Sequence, residues 1–304
     1  MPKGLIVKAL SGFYYVLEDG QEAAGEQPVQ CRARGIFKKK GITPLVGDRV
    51  SFERTGNGEG TVDEIAPRTT ELIRPPIANM ELALLAFSVV EPDLNVQLLD
   101  KFLVHIEHAG LTPVICLTKR DLLKEADDDV LAAEVEQAAA LYRSIGYEVL
   151  ITSSKWREGI EQVAARIAGG LTVIAGQSGV GKSSLLNALI PGLELETNAI
   201  SHKLGRGKHT TRHVELLPLP AGGWVADTPG FSQLDFAEIE AESLGACFRE
   251  FGELAERCKF RGCLHVHEPD CRVREAAGTG DIAESRYEHY VQFLQMIRER
   301  PRRY

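Results

Sequence analysis

The sequence predicts a multi-domain chain of three units: an N-terminal all-β, OB-like barrel over residues 1–72, a central α/β unit over 73–237, and a mostly α-helical unit over 238–304. Three observations predict it. Short alternating segments separated by Gly and Asn turns fill the first stretch; wholly apolar strands alternating with segments of helical period fill the second; the third is rich in Cys, His and Arg. A chain of 304 residues is long enough to divide, because single cores stop growing at roughly 250–300 residues.

In the first unit LIVKAL, FYYVLED, PVQCRARGIF, DRVSFER and TVDEIA read as five strands, with no helix-length periodic segment among them. So many short strands leave unpaired edges unless they close, which favours a small barrel. An OB-like and an SH3-like barrel both satisfy the alternation, and the OB-like form is the expectation. The stretch 31–54 is locally basic, with Arg32, Arg34, Lys38, Lys39, Lys40, Arg49 and Arg54 against Asp48 and Glu53, although the whole chain carries a net charge of −8. That balance excludes wholesale coating of nucleic acid and leaves room for one basic face.

Pro75-Pro76 ends the alternation, and LALLAFSVV, residues 82–90, reads as a strand buried on both faces. From there LALLAFSVV, TPVICLT, YEVLITSS, LTVIAG and GWVADT alternate with VQLLDKFLVHIEHAG, DVLAAEVEQAAALYRSIG, GIEQVAARIAG and KSSLLNALI. This rhythm implies a mostly parallel sheet with helices on both faces, and ligands at the carboxyl ends of its strands. In the third unit Tyr287, Tyr290, Val291, Leu294 and Ile297 recur at helical spacing and predict a packed helix, followed by Arg298, Arg300, Arg302 and Arg303.

Composition is that of a globular protein, 44% hydrophobic and 26% charged. No apolar run approaches the roughly 18 residues needed to cross a bilayer, and MPKGLIVKALSG lacks a signal-peptide core, so the expectation is a cytoplasmic monomer with no membrane contact. Six cysteines, three of them within residues 258–271, are too unevenly spread for a disulfide framework and point to metal.

The chemistry begins where LTVIAG runs into GQSGVGKSS and KSSLLNALI, the strand–loop–helix setting of a phosphate loop, Gly176-x4-Gly181-Lys182-Ser183. Gly176, Gln177, Ser178, Gly179, Val180 and Gly181 would aim backbone N–H groups at phosphates from a helix N-terminus, with Ser184 closing the motif. Lys182 would neutralise β/γ-phosphate charge, and the Ser183 hydroxyl would ligate Mg²⁺. Next come GRGKHTTRHVEL and WVADTPGF. Asp227-x-x-Gly230 would place a carboxylate at the water shell of Mg²⁺ and the Gly230 N–H at the γ-phosphate, while Thr210 or Thr211 offers a second hydroxyl to the metal.

TPVICLTKRDLL carries Thr118-Lys119-Arg120-Asp121 directly after a strand. An aspartate there can accept two hydrogen bonds from the N1–H and N2 amino edge of guanine, which adenine cannot supply, while the Lys119 stem covers the base face. Thr118 stands where Asn is usual, so an inter-loop amide contact is lost or replaced by a hydroxyl. Ser153-Ser154-Lys155 fits a base-contacting S-A-K loop. The order is base reader, S-S-K, phosphate loop, switch threonine, D-x-x-G. This is the usual GTPase set cut and rejoined, which leaves a sheet unchanged if the old ends lie close together. The central unit therefore reads as a circularly permuted P-loop GTPase domain. A phosphate-loop ATPase has no use for T-K-x-D, and an RNA-binding factor with a vestigial nucleotide site would not need an intact loop from Gly176 to Ser184.

Cys258-x4-Cys263-x-His265-x5-Cys271 offers three thiolates and an imidazole, a set suited to one structural Zn²⁺ with no open position for a catalytic water. His267 competes with His265 as ligand, and Cys31, Cys116 and Cys247 read as core thiols.

Together these residues resemble the ribosome small-subunit-dependent GTPase A family of circularly permuted bacterial GTPases. The OB-like barrel, the PPIAN linker, TKRD, GQSGVGKSSLLNAL, GKHTTRH, DTPGF and C-x4-C-x-H-x5-C cover nearly the whole chain. The resemblance implies hydrolysis of GTP to GDP and phosphate, stimulated by the small ribosomal subunit, in late maturation of that subunit. It implies GTP/GDP, Mg²⁺ and one Zn²⁺ as cofactors, and the subunit and its rRNA as partners, with rRNA phosphates meeting stretch 31–54 and the arginine tail. The family's G-R-H-T-T-T stands here as Gly207-Lys208-His209-Thr210-Thr211-Arg212, and the resemblance implies a part in hydrolysis for His209. Phe231, following D-x-x-G, has no polar atom where many GTPases place a Gln to orient water, so intrinsic turnover is expected to be slow until His209 is fixed by RNA or ribosomal protein. D-T-P-G-F leads straight into the zinc region, so loss of the γ-phosphate could shift that region as a body.

Overall fold

The computed structural model describes residues 1–21, 27–73, 75–195, 214–227 and 235–300. Its first strands close on themselves. β1 (Lys3–Leu10), β2 (Phe13–Glu18), β3 (Val29–Ala33), then a short helix α1 (Gly35–Lys39), β4 (Arg49–Arg54) and β5 (Gly60–Ile65) pair in the order β1-β2-β3-β5-β4, with β4 returning antiparallel to β1. β3 runs parallel to β5, whereas β1–β2, β2–β3 and β4–β5 are antiparallel. That Greek-key crossover is the OB arrangement and decides between the two barrels the alternation left open. Leu5, Val16, Cys31, Phe52 and Val62 fill the interior. PVQCRARGIF is not one strand: it stops at Ala33, and the chain turns into α1, which buries Phe37 against the barrel. A single large apolar side chain finds more cover there than an extended strand end would give it.

A hairpin of β6 (Glu71–Ile73) and β7 (Pro76–Ala78) joins barrel to sheet. It is pinned to the barrel by the Val46–Ile77 bridge and by Asn79, whose amide donates to the Gly47 carbonyl at 2.9 Å. Arg68 reinforces the joint by donating to both oxygens of buried Asp48 at 2.8 Å, the bidentate geometry that makes guanidinium–carboxylate pairs strong.

The central unit runs β8 (Leu82–Ser88), α2 (Val96–His108), β9 (Thr112–Thr118), α3 (Arg120–Ala126), α4 (Asp129–Ile145), β10 (Glu148–Ile151), α5 (Ile160–Ile167), β11 (Leu171–Ala175), α6 (Lys182–Leu189), β12 (Leu216–Pro218) and β13 (Trp224–Asp227). The sheet order is β10-β9-β8-β11-β13-β12, parallel throughout except for β12, an edge strand antiparallel to β13 that the apolar rhythm did not announce. The period of two along β8 sorts its side chains: Ala83, Leu85 and Phe87 join the core under α2 and α4, and Leu82, Leu84 and Ala86 the core under α5 and α6. With helices on both faces β8 is buried along its whole length. Local signals start and stop the helices: the Asn95 side chain caps α2 by accepting from the Leu98 N–H, Asp128 caps α4, and Gly146 ends it in a left-handed conformation.

From β8 the chain steps outward to β9 and β10, then returns to lay β11 on the other side of β8. That reversal is the topological switch point where an open α/β sheet binds ligands. Traced from β11 through β12 and β13 and then β8, β9 and β10, the same sheet would present its phosphate loop first and its base reader late. The permutation alters the connections and leaves the strand neighbours intact.

The last unit packs α7 (Ala241–Leu244), α8 (Gly252–Glu256), α9 (Arg272–Thr279) and α10 (Glu284–Arg298) around a third core of Phe248, Phe251, Tyr290, Phe293 and Leu294. Val104 of α2 belongs to that core, so the unit docks on α2. Within the dock Arg286, 1% exposed, donates to Asp100 at 2.5 Å and to Glu250 at 2.6 Å, while His289 and the Tyr142 hydroxyl also meet Asp100, at 2.5 and 2.6 Å. Burial works against the Arg286 charge, but Asp100 and Glu250 outweigh it and hold the guanidinium protonated.

Candidate nucleotide site and metal centre

Gly176 leaves β11 with φ of 147°, so close to β8 that a Cβ would stand 2.1 Å from the Ala86 carbonyl oxygen. Only glycine fits there. The loop is then anchored by Val180, fully buried in the core beneath α5 and α6, and it turns into α6 at Gly181. Lys182 in the first turn folds back and donates from Nζ to the carbonyls of Gly176 at 2.8 Å and Gln177 at 2.7 Å. Its ammonium thus lies inside the loop. Ser183 and Ser184 follow on that turn, half-buried, while Ser178 and Gly179 are exposed on the loop.

The loops that carry Thr118-Lys119-Arg120-Asp121 and Ser153-Ser154-Lys155 lie beside it. Thr118, buried at the end of β9, donates from its hydroxyl to the Val180 carbonyl at 2.5 Å, with the Phe87 carbonyl at 3.3 Å. The inter-loop contact usual for an Asn amide is therefore made by a hydroxyl, tying base reader to phosphate loop. Lys119 takes a left-handed turn (φ 63°) that starts α3, and its ammonium meets the Glu91 carbonyl. Burial lowers the Lys119 pKa, opposed by Glu91 and Asp121. Asp121 is 7% exposed and accepts from the Ser153 hydroxyl at 2.6 Å. Ser153 is itself buried, accepts from the Trp156 N–H at 3.1 Å, and exchanges two backbone hydrogen bonds with Glu158 at 3.0 Å. It holds the carboxylate in place, and Ser154, not Ser153, faces the cavity.

That cavity, about 480 Å³, is lined by Thr118, Lys119, Asp121, Ser154, Gly181 and Ser184. Such a volume suits a small-molecule ligand, and a carboxylate at one end with a phosphate loop at the other suits a nucleotide. Lys155, Arg157, Asn187 and Ala188 also line it. No motif pointed to the last three, which reach the cavity only because α6 packs beside α5 and the loop before it. His209, Thr210, Thr211, Gly230 and Phe231 lie outside the described residues, as do Arg302, Arg303 and the side chain of Asp227.

Cys258, Cys263, His265 and Cys271 converge, with all their donor atoms within 4.8 Å of one another. His265 Nδ1 stands 3.6 Å from Cys258 Sγ and 3.4 Å from Cys271 Sγ, and those two sulfurs are 3.9 Å apart. Ligands bound at about 2.0–2.3 Å in a tetrahedron stand roughly 3.5–3.8 Å from one another, so the set fits Zn²⁺. His267 is exposed and outside the cluster. The supporting shell is complete. The Arg274 N–H donates to Cys271 Sγ at 3.4 Å, and the Tyr287 and Tyr290 hydroxyls donate to the His265 and Leu264 carbonyls at 2.7 Å. Burial would raise the Glu268 pKa, but the backbone N–H groups of Leu264, Val266 and His267 hold it down at about 2, an ionised clamp across the ligand loop. With four protein ligands such a centre is structural.

Residues 65–237 match the family model described as RsgA GTPase, and residues 3–62 the RsgA N-terminal domain. The "Small ribosomal subunit biogenesis GTPase RsgA" of Geobacillus thermodenitrificans is 55% identical over 304 residues, and the protein of that name from Bacillus subtilis 52% over 305, each over 100% of both chains. Two solved structures are also similar. The circularly permuted GTPase YloQ superposes with a TM-score of 0.83 at 45% identity, over 100% of this chain and 97% of that one. YjeQ from Thermotoga maritima superposes with a TM-score of 0.85 at 36% identity, over 98% and 99%.

Proposed function

The chain belongs to the RsgA GTPase family and is a GTPase, and we propose that it hydrolyses GTP slowly alone, faster on the small ribosomal subunit, as a late step in maturation of that subunit. The observation that carries the guanine reading is Asp121, a buried carboxylate fixed by Ser153 and opening into the cavity that the phosphate loop closes. Guanine offers that carboxylate two donors; adenine would leave the acceptor sites not used by Ser153 desolvated and without a partner. Lys182, held at the loop carbonyls, needs only to swing outward to meet phosphate oxygens.

Mg²⁺, when bound, neutralises charge developing on the phosphates. The Ser183 hydroxyl, a hard oxygen ligand next to Lys182, fits it, with Thr210 or Thr211 and the water-shell contact of Asp227 as its companions. Gly230 meets the γ-phosphate and His209 orients or deprotonates the attacking water once the subunit fixes its loop. The three units, 1–72, 73–237 and 238–304, act in the cytoplasm as a monomer, with the basic barrel face on rRNA phosphates. Among the described residues no helix is long and apolar enough to cross a membrane. The test is hydrolysis of GTP and ATP with and without small subunits in one buffer. GTP-only turnover that rises by orders of magnitude with subunits is the expected result; equal use of ATP, or indifference to subunits, overturns it.

A further inference from the structure

We infer that Arg157 is a nucleotide-positioning residue whose guanidinium covers the base of the bound nucleotide from the α6 side of the pocket; this rests on the guanine-nucleotide reading above. The first ground is placement. Arg157 follows the S-S-K loop by two residues, lines the base cavity, and donates to the Ala188 carbonyl at 3.3 Å. Ala188 stands six residues along α6 from Lys182, about 9 Å at 1.5 Å per residue. Arg157 is thus tethered at the base end of the cavity and away from the phosphates. Lys119 lies nearer the phosphate loop: a Cβ on Gly181, at the start of α6, would stand 3.9 Å from its Cγ and Cε.

The second ground is charge. The neighbouring cations are paired: Lys155 with Glu125 at 2.5 Å, Arg120 with Glu158 at 2.5 Å, and Lys124 with Glu158 at 3.5 Å. Arg157, among the described residues, meets no carboxylate; its partner is one backbone carbonyl. A planar guanidinium without a counter-ion, at the rim of a pocket for a flat aromatic base, has a stacking partner as its natural complement.

The third ground is backbone strain. Arg157 has φ of 54°, left-handed for a long side chain outside any helix cap. Such a conformation is disfavoured for a long side chain and persists where the surroundings impose it, commonly at ligand clamps. Here the Ser153–Glu158 pair closes the loop on either side of Arg157, whose exposed side chain reaches the Ala188 carbonyl of α6.

The contact is with the face of the base, so it is indifferent to the guanine 2-amino group, whereas Asp121 depends on that group. The experiment is stopped-flow release of fluorescently labelled GDP and IDP from the full-length wild type, Arg157→Ala, Arg157→Lys and Asp121→Ala, with melting temperatures of each nucleotide-free protein. Arg157→Ala is expected to speed release of both nucleotides by the same factor, about three- to thirtyfold, and Arg157→Lys by a smaller one, at unchanged melting temperature. Asp121→Ala is expected to erase the preference for GDP over IDP. Wild-type release rates from Arg157→Ala beside a crippled Asp121→Ala would overturn the role of Arg157 and leave the guanine site standing. A lowered melting temperature that accounts for the faster release would reduce Arg157 to a tether of α6 and equally overturn it. A wild type that holds GDP no longer than IDP would overturn the reading of the site itself.

Discussion

The cysteine–histidine cluster and the candidate nucleotide pocket are built in opposite ways. All four metal ligands come from residues 258–271, one continuous loop clamped by Glu268 and by two tyrosines of α10. The pocket takes Thr118 from the end of β9, Asp121 from the first turn of α3 that follows it, Ser154 from the loop after β10, and Gly181 and Ser184 from the start of α6 after β11. A local cluster of donors would draw its stability from metal–thiolate bonds once metal is bound, whereas the pocket has only the sheet that brings three strand ends together. Between them lies α2, which carries Asp100 into the buried ionic cluster of the C-terminal unit while packing on the sheet with its other face.

The largest effect belongs to the metal. Chelation of zinc, or Cys271→Ser, removes binding energy of order 10 kcal/mol and should unfold the C-terminal unit, seen as lost helical circular dichroism, while GDP affinity stays within a few fold. Loss of GDP binding as well would break the separation of the two sites. Next comes Asp121→Asn, which turns an acceptor into a donor facing guanine donors. GDP should bind at least about a hundredfold more weakly, and xanthosine diphosphate, with an oxygen in place of the 2-amino group, should bind better, as isothermal titration would read.

Arg286→Ala sharpens the comparison at the seam. It takes the guanidinium away from buried Asp100 and half-buried Glu250, leaving Asp100 with only Tyr142 and His289, and should destabilise the protein by about 3–5 kcal/mol in denaturant titration, with zinc content unchanged because no cluster residue is touched. Zinc lost together with stability would mean that docking and chelation are one cooperative event. The smallest effect is a pH dependence from the same helix. His105 is stacked on Phe236 at 5.4 Å, and burial above all, with help from Lys101, lowers its pKa from 6.5 to about 4 despite Asp235. The unfolded chain then binds more protons between those values. Stability from this group is complete above pH 6.5 and declines as the pH falls toward 4, by roughly 2 kcal/mol at pH 5. His105→Phe should flatten that part of the melting-temperature profile; an unaltered profile would show that His105 does not cause it.

Much of the candidate site was legible because its chemistry is written in short stretches. The glycines of 176–181 and the lysine after them can be recognised without knowing what they touch, and so can the thiols of 258–271. Thr118 was half legible: the missing amide was evident, but only the approach of Val180 to the end of β9 supplies the acceptor that its hydroxyl uses. Ser153 read as a base contact and sits instead behind Asp121, since the two-way pairing with Glu158 turns it inward. Asp100, Glu250 and Arg286 carried no signal at all. Each is an ordinary charge on an amphipathic helix or turn until the units dock and remove it from water.

The amino-acid pattern by itself determined most of the elements, their order, and the loops that carry the candidate phosphate, guanine and metal ligands, because periodicity, loop glycines and ligand spacing act over a few residues. Tertiary structure alone decided the barrel topology, through the parallel β3–β5 pair, and the neighbours of the permuted sheet. It also decided which hydroxyl holds Asp121, the place of Arg157 on the pocket rim, and the ionic dock on α2. These depend on contacts between residues far apart in the chain, and the energy of such a contact exists only once the intervening segments have packed and excluded water.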